Sequence, residues 1–255
     1  MIMRNLICRQ ISIGVAALLS LAFTAPVAAA DSQIAVAANF TEPAKEIAAA
    51  FAKATGHNAI LSFGSSGAFY TQMSHGAPFE VFLSADADRP TRAEREGLGV
   101  PGSRFTYAIG RLVLYSAKPG VVDGAGAILK RGGFEKIAIA DPAAAPYGVA
   151  AVQVLKKLGL YEALTPKIVQ GSSITQTYQF VATGAAEIGF VAQSQVIGEP
   201  GGSRWLVPAK LHAPIDQQAI LLKTGQKNPA AIAFVKFLKS PQAIAIIKRY
   251  GYETR

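Results

Sequence analysis

Four short polar or glycine-containing segments each lie at the start of a predicted helix, and three of them also follow a predicted strand. They are Ala38-Asn39-Phe40-Thr41, Gly64-Ser65-Ser66-Gly67, Pro146-Tyr147-Gly148 and Ser172-Ser173-Ile174. The first N–H groups of a helix have no partner inside the helix and carry a partial positive charge, so an oxyanion placed there accepts hydrogen bonds from them. None of the four segments contains Lys or Arg. The pattern therefore predicts an anion site that is built from neutral donors.

The same segments are also ordinary helix caps. Ser, Thr and Asn are the favoured N-cap residues, and any α/β protein has several of them. In open α/β sheets, however, the turns at the carboxyl ends of the strands gather at one edge, where ligands bind. Glycine in such turns lets the backbone approach a ligand closely. Four segments together favour the anion site, while the cap interpretation stays open for each segment taken singly.

The side-chain groupings that catalysis or a metal ion would need are missing from the sequence. The three histidines stand at no metal-ligand spacing. Gly64-Ser65-Ser66-Gly67 does not fit the G-x-S-x-G turn of serine hydrolases. Asp86 and Asp88 precede a predicted helix and are interpreted as capping acids. Tyr250 and Tyr252 could suggest a ferric-ion site, but they flank a predicted helix end and are interpreted as core or hinge residues.

Short apolar runs alternate with amphipathic stretches along the chain, which is the pattern of βα units around a mostly parallel sheet. The predicted strands cover residues 34–38, 59–63, 81–84, 111–116, 137–141, 188–191 and 219–222. The predicted helices begin near residues 42, 67, 89, 147, 173, 229 and 241. The run at 111–116 is expected to carry the chain into a second domain, and the run at 219–222 is expected to return it.

The first thirty residues have the order of a secretory signal. An uncharged stretch at 11–23 follows two arginines and is followed by the small residues 28–30. The stretch is shorter than the roughly 20 residues that a helix needs to cross a bilayer. We therefore predict export with cleavage between Ala30 and Asp31. Cys8, the single cysteine, would leave with the signal, so no disulfide is expected.

The chain is basic, with a formal net charge of +9. A basic balance attracts anionic ligands, nucleic acid or membrane surfaces. The densest basic cluster is only the pair Lys248-Arg249, so the charge is interpreted as dispersed and solvated. Nucleic-acid binding is not indicated. Because no later apolar stretch is long enough to span a membrane, the mature protein is expected to be soluble outside the cytoplasm.

Seven motifs are distributed over the chain in a fixed order. They are Ala37-Ala38-Asn39-Phe40-Thr41, Phe63-Gly64-Ser65-Ser66, residues 76–86, Asp141-Pro142, residues 186–191, residues 240–243 and residues 248–252. Together they resemble the motifs of the periplasmic molybdate-binding proteins of bacterial ABC importers. The resemblance covers essentially the whole chain after the signal, and the motif at 76–86 with the C-terminal motif is the most specific part.

The resemblance implies a type II solute-binding fold of two domains, each a mostly parallel sheet flanked by helices. The expected first domain combines residues 31–110 and 215–255, and the expected second domain is residues 111–214. The ligand cleft would lie between them and close like a hinge. Inside it, a dehydrated tetrahedral dianion would be held by neutral donors only.

Carried over by position, the resemblance also implies the site residues. The expected contacts are Ala38, Asn39, Ser66, Tyr147 and Ile174, with Ser65 and Thr41 as further candidates. Ser66 stands at a hydroxyl contact, Asn39 replaces a usual serine, and Tyr147 and Ile174 stand at backbone N–H donors. Many members place a tyrosine where this chain has Ala192. The Tyr147 hydroxyl is therefore a candidate to replace it.

The implied function is the capture of molybdate for the membrane permease of an ABC importer. Tungstate has nearly the same size and charge and is expected to bind as well. Smaller sulfate would leave some donors too distant, and each lost hydrogen bond to a charged group costs about 1.5–3 kcal/mol. The expected protein is a periplasmic monomer with no cofactor, no directly ligated metal and no enzymatic activity. A receptor for another oxyanion such as sulfate, a stand-alone periplasmic sensor and an exported α/β enzyme remain the alternatives.

Overall fold

The computed structural model describes residues 29–254. Most of the predicted signal, including Cys8, lies outside the described residues. Within residues 29–254, no single helix is long and apolar enough to cross a membrane. The helices Pro229–Phe237 and Pro241–Arg249 pass that test only as a pair bent by 62°, and each buries an apolar face in the protein core.

The strands and helices of the described part follow one another in a β-α alternation. In chain order the strands are β1 (Asp31–Ala37), β2 (Asn58–Gly64), β3 (Val81–Leu83), β4 (Phe105–Gly110), β5 (Leu112–Ser116), β6 (Ile137–Ala140), β7 (Ile168–Gly171), β8 (Ile188–Ala192), β9 (Ser203–Leu206) and β10 (Ile215–Leu221). The helices are α1 (Thr41–Thr55), α2 (Ser66–Ser74), α3 (Asp88–Arg95), α4 (Ile128–Arg131), α5 (Pro146–Lys157), α6 (Tyr161–Leu164), α7 (Ile174–Ala182), α8 (Gln193–Val196), α9 (Pro229–Phe237) and α10 (Pro241–Arg249).

The strands form two sheets of five strands each, with the orders β2-β1-β3-β10-β4 and β7-β6-β8-β5-β9. In the first sheet β1 is parallel to β2 and β3, and β10 is antiparallel to both of its neighbours. The second sheet repeats this plan, with β6 parallel to β7 and β8 and with β5 antiparallel to both of its neighbours. Four of the five strands in each sheet therefore run the same way, which confirms the expected mostly parallel α/β architecture.

The chain crosses from one sheet to the other twice, between β4 and β5 and again between β9 and β10. Residues 29–110 and 215–254 build the first sheet and its helices, here called lobe I, and residues 111–214 build lobe II. The predicted domain boundaries fall at these crossings. The prediction that each lobe is a separate domain remains a prediction.

The helix ends follow local sequence signals. Helix α1 ends at Gly56, which has φ 75° and donates its N–H to the Ala52 carbonyl oxygen. Helices α9 and α10 begin with a side-chain cap, from Asn228 and Ser240 respectively, followed by proline. These are the predicted starts, because a capping side chain satisfies an N–H that the first turn leaves unpaired and proline has no N–H there to lose.

Six elements were not predicted from the sequence: β4, β7, β9 and the one-turn helices α4, α6 and α8. The three strands lie at sheet edges. An edge strand has a neighbour on one side only, and its burial pattern is broken, as in β9, where only Trp205 of four residues is buried. Such a strand has no continuous apolar run to indicate it.

Candidate anion-binding site

A small cavity lies between the two lobes. It is lined by Ala37, Ala38, Asn39, Gly64, Ser65, Ser66, Ala85, Ala145, Pro146, Tyr147 and Ile174. Six of the seven residues expected from the sequence are in this lining. Thr41 is not in it, because its side chain is turned back to donate a hydrogen bond of 2.8 Å to the carbonyl oxygen of Ala38.

Lobe I contributes two adjacent turns to the cavity. Strands β1 and β2 pair in parallel up to the register Ala37–Gly64, so both end at the same edge of the sheet. The chain after β1 forms a 3-10 turn over Ala38–Phe40, and the chain after β2 enters α2 at Ser66. Parallel pairing therefore brings together two segments that lie more than twenty residues apart in the sequence.

Lobe II contributes two helix starts by the same construction. Strands β6 and β7 pair in parallel up to Ala140–Gly171. Helix α7 begins at Ile174 behind an N-cap at Ser173, whose side chain accepts a hydrogen bond from the Gln176 N–H. Helix α5 begins at Pro146. Proline has no N–H, so the first N–H that α5 offers is that of Tyr147.

The cap interpretation holds for two of the serines. Ser65 is the N-cap of α2 and accepts a hydrogen bond from the Ala68 N–H at 3.4 Å, and Ser173 caps α7. Ser66 is different, because it is the first helical residue and its Oγ accepts the N–H of Ala85 at 3.0 Å. That bond occupies a lone pair and leaves the hydroxyl hydrogen of Ser66 free to be donated to a ligand.

The lining is both buried and neutral. Ser66 is 1 % exposed, Asn39 is 3 % exposed and Tyr147 is 1 % exposed, so an ion bound there would be removed from water. No Lys, Arg, Asp or Glu belongs to the lining. Hydrogen bonds in such a low-dielectric site are stronger than in water, and an unpaired polar group costs correspondingly more. The site therefore suits a dehydrated anion that needs donors and offers no proton of its own.

The side chain of Asn39 is already engaged. Its Nδ2 donates to Gln217 Oε1 at 2.8 Å and to the hydroxyl of Tyr252 at 2.9 Å, which uses both amide hydrogens. The main-chain carbonyl oxygen of Asn39 accepts from Ser194 Oγ at 2.8 Å and from the Tyr252 hydroxyl at 2.7 Å. The main-chain N–H of Asn39, and not its side-chain amide, is thus the group that this residue can offer to an anion.

The hydroxyl of Tyr147 also has a protein partner. Gln217 Nε2 donates to it at 3.3 Å, and a side chain at Gly110 would overlap it. Burial raises the pKa of Tyr147 well above the ordinary tyrosine value, with further contributions from the nearby Tyr252 and Tyr107. The hydroxyl therefore stays neutral and faces lobe I. Ala192, the position that it was expected to replace, is fully buried at the end of β8 and outside the lining.

A set of buried polar residues behind the cavity is here called the amide–tyrosine network. Its members are Asn39, Tyr107, Tyr147, Ser194, Gln217 and Tyr252. Sequence reasoning missed Gln217, Tyr107 and Ser194, and it interpreted Tyr252 only as a core or hinge residue. The available signal was the pair Gln217-Gln218 directly before the apolar run Ala219-Ile220-Leu221, where the structure has a β-bulge.

The two lobes also touch at the mouth of the cavity. The N–H of Gly67 donates to the carbonyl oxygen of Ala144 at 2.9 Å. Beside it, Arg89 Nη2 donates to the carbonyl oxygen of Ala143 at 2.9 Å, while the same guanidinium is paired with Asp86. These contacts join α2 and α3 of lobe I to the loop before α5. The lobes are therefore closed over the cavity.

Among residues 29–254, no group of three or more His, Cys, Asp or Glu side chains could hold a metal ion.

Comparison with known proteins gives four findings. The family described as "Bacterial extracellular solute-binding protein" matches residues 33–253. The molybdate-binding protein ModA of Rhodobacter capsulatus is 60 % identical over 229 residues, which is 90 % of each chain. Among solved structures, the periplasmic molybdate-binding protein of Azotobacter vinelandii matches with a TM-score of 0.85 and 44 % identity, covering 88 % of this chain and 99 % of that one. The sulfate-binding protein SubI from Mycobacterium tuberculosis, at 14 % identity and a TM-score of 0.71, shares the fold over 88 % of this chain and 86 % of its own.

Proposed function

The chain belongs to the bacterial extracellular solute-binding proteins and, within them, to the molybdate-binding ModA proteins, and from this premise we propose that its interlobe cavity binds molybdate for an ABC importer. One observation carries the proposal beyond the family. The cavity gathers the starts of two strand–helix turns from each lobe and is lined by neutral residues only.

The proposed donors are mainly main-chain groups. Ala38 and Asn39 contribute main-chain N–H groups of the 3-10 turn after β1. Tyr147 and Ile174 contribute the first N–H groups of α5 and α7. Ser66 adds a buried hydroxyl whose oxygen accepts the N–H of Ala85 and whose hydrogen is left for the anion. The hydroxyl of Ser65 is a secondary candidate. We leave Thr41 out of the donor set because its hydroxyl already donates a hydrogen bond to the carbonyl oxygen of Ala38.

The chemistry of this donor set favours a fully ionised tetrahedral anion. Phosphate near neutral pH carries a proton that needs an acceptor, and the lining has no carboxylate to accept it. Sulfate is smaller than molybdate, so closed lobes that fit molybdate would hold some donors beyond hydrogen-bond distance from it. Tungstate matches molybdate in size and charge and is proposed as a second ligand of comparable affinity.

Thermal unfolding of the ligand-free protein that starts at Asp31 tests this function. Molybdate, tungstate, sulfate and phosphate are each added at the same concentration. A ligand that binds only the folded state stabilises it by about 2.7 kcal/mol at a hundredfold excess over Kd. We expect a large rise in the unfolding midpoint with molybdate and tungstate only. A comparable rise with sulfate, or no rise with molybdate, would reject the assignment.

The proposed setting is the periplasm, where a monomer would deliver the anion to a membrane permease. The N-terminal signal supports export, with cleavage between Ala30 and Asp31. Mass spectrometry of protein from the cell envelope would identify the mature N-terminus. A mature chain that retains residues 1–30 would contradict this part of the proposal.

A further inference from the structure

The amide–tyrosine network has its centre at one carboxamide. Gln217 is completely buried on β10, and both polar atoms of its side chain form hydrogen bonds. Its Oε1 accepts from Asn39 Nδ2 at 2.8 Å and from the Tyr107 hydroxyl at 3.1 Å. Its Nε2 donates to the Tyr147 hydroxyl at 3.3 Å. A buried amide with this many partners is costly to disturb, because each partner left behind remains buried and unpaired.

Both partners of this amide that line the cavity belong to the proposed anion site, and they come from different lobes. Asn39 is in lobe I and Tyr147 is in lobe II. Each turns its side chain to Gln217 while its main chain forms one of the turns that surround the cavity. By binding the side chains of Asn39 and Tyr147, Gln217 therefore also holds the main-chain N–H groups of these two residues in place, one in each lobe.

The network is divided between the lobes in a way that ties it to closure. Asn39, Tyr107, Gln217 and Tyr252 belong to lobe I, whereas Tyr147 and Ser194 belong to lobe II. Ser194 Oγ donates to the carbonyl oxygen of Asn39 at 2.8 Å and lies 3.0 Å from the hydroxyl of Tyr252. Each bond to Tyr147 or Ser194 joins a residue of lobe II to a residue of lobe I. These bonds can therefore exist only while the lobes are together.

We propose that Gln217 and Tyr252 are positioning residues that couple anion binding to lobe closure, by donating hydrogen bonds to the hydroxyl oxygens of Tyr147 and Ser194 only when the cavity is closed. The proposal rests on the proposed function and deepens it. None of the four side chains needs to touch the anion. They set how much of the intrinsic affinity of the main-chain donors is realised, because the apparent affinity depends on the population of the closed, binding-competent state.

The test uses substitutions that remove one polar group of the network without removing a ring or a main-chain donor. Molybdate affinity is measured by isothermal titration calorimetry for wild type, Tyr147→Phe, Ser194→Ala and Gln217→Met. Tyr161→Phe is the matched control, since it removes a hydroxyl from the same lobe outside the network. A neutral hydrogen bond contributes about 1 kcal/mol, so Tyr147→Phe and Ser194→Ala are each expected to weaken affinity about fivefold. Tyr161→Phe should bind like wild type.

Two further measurements separate positioning from a general loss of stability. The ligand-free unfolding midpoint of Tyr147→Phe should equal that of wild type, because the open lobes leave this hydroxyl to water. The double variant with Gln217→Met should bind no more weakly than Gln217→Met alone, because both changes remove the same bond. Wild-type affinity in Tyr147→Phe, or losses that simply add in the double variant, would overturn the proposal.

Lobe closure can also be measured without relying on molybdate. The chain has a single cysteine, at position 8, so protein that starts at Asp31 accepts spin labels at Arg95→Cys in lobe I and Lys156→Cys in lobe II. Distance distributions between the labels give the closed fraction with and without anion. Tyr147→Phe should lower that fraction. Equal closed fractions in wild type and variant would reject the coupling whatever the wild type binds, whereas a wild type that fails to bind molybdate rejects the function alone.

Discussion

Ser66 is the residue whose side chain contributes most directly to the proposed site. Its Oγ accepts the N–H of Ala85, and its hydrogen remains to be donated to the anion. Ser66→Ala should weaken molybdate binding roughly 10- to 150-fold, since a hydrogen bond to a charged group contributes about 1.5–3 kcal/mol. Titration calorimetry at constant pH measures this loss. Ser74→Ala, at the exposed end of the same helix, should bind like wild type.

The same substitution has a second effect that needs its own measurement. Removing the Ser66 oxygen leaves the buried N–H of Ala85 without that acceptor, so the ligand-free protein should also become less stable. Calorimetric affinity at 25 °C and the ligand-free unfolding midpoint report the two effects separately. A Ser66→Ala protein with wild-type affinity would show that the hydroxyl faces no ligand.

At this scale the sequence predicts which main chains meet, but not where the side chains turn. Ser65, Ser66 and Ile174 were found from local signals, because caps and helix starts depend on a few neighbouring residues. The side chain of Asn39 has its partners 178 and 213 positions away, at Gln217 and Tyr252. No local pattern encodes such contacts. The expectation that Asn39 replaces a serine contact therefore rested on its position in the sequence and not on the partners of its side chain.

At the scale of elements, the strands with two neighbours were predicted and most edge strands were not. β1, β3, β6 and β8 lie inside their sheets and appear in the sequence as apolar runs, because both faces are covered. The missed strands β4, β7 and β9 each have one free side. Their pairing depends on a partner distant in sequence, as β9 depends on β5, so only the folded sheet defines them.

Two glycines lie where elements pack closely, so replacing them with alanine tests those contacts. A Cβ at Gly67 would lie 2.9 Å from the Cα of Ala144, which belongs to the opposite lobe. Gly67→Ala should therefore prevent full closure and weaken molybdate binding by about tenfold or more, because main-chain donors of the two lobes would be held apart. The ligand-free unfolding midpoint should change little. Calorimetry and thermal unfolding of the same sample measure both quantities.

Gly148→Ala provides the contrasting case. A Cβ at Gly148 would overlap the carbonyl oxygen of Ala140, so α5 could not pack as closely on β6 of its own lobe. This variant should lose stability even without ligand, by the 1–3 kcal/mol or so that overpacking costs. If Gly67→Ala lost ligand-free stability to the same extent, the contact at Ala144 would be part of the fold and not of closure.

At the scale of the whole molecule, the two lobes use one strand plan twice and place their helix starts on facing edges. The chain crosses between them twice, and β10 returns it to lobe I carrying Gln217 at its bulge. The return strand thus places a buried amide beside the junction of the lobes. The two crossings could be anticipated from the apolar runs at 111–116 and 219–222. The polar network that β10 supports at this junction could not be anticipated, because it forms only when both lobes are folded and in contact.

The buried tyrosines of this network make the stability of the whole molecule sensitive to alkaline pH. Burial raises the pKa of Tyr252 to about 12 and raises the pKa of Tyr107 and of Tyr147 well above the ordinary value of 10.0. The folded state therefore favours the neutral phenol. The stability that this contributes is complete below about pH 10, where an unfolded tyrosine titrates, and it is lost as the pH rises from there through the folded pKa.

The loss should have a measurable slope. In the ligand-free protein Tyr107 and Tyr252, which lie in lobe I with Gln217, each lower the free energy of unfolding by up to about 1.4 kcal/mol per pH unit above pH 10, because the unfolded chain releases a proton that the folded chain retains. Tyr147 adds to the slope only while the lobes are closed. Denaturant unfolding of the ligand-free protein between pH 8 and 11 measures the slope, and phenolate absorbance reports which state ionises. Tyr252→Phe removes one of these groups, so its stability should fall less steeply than that of wild type above pH 10. Identical slopes would mean that Tyr252 ionises as readily in the folded protein as in the unfolded chain, and that the network is open to water.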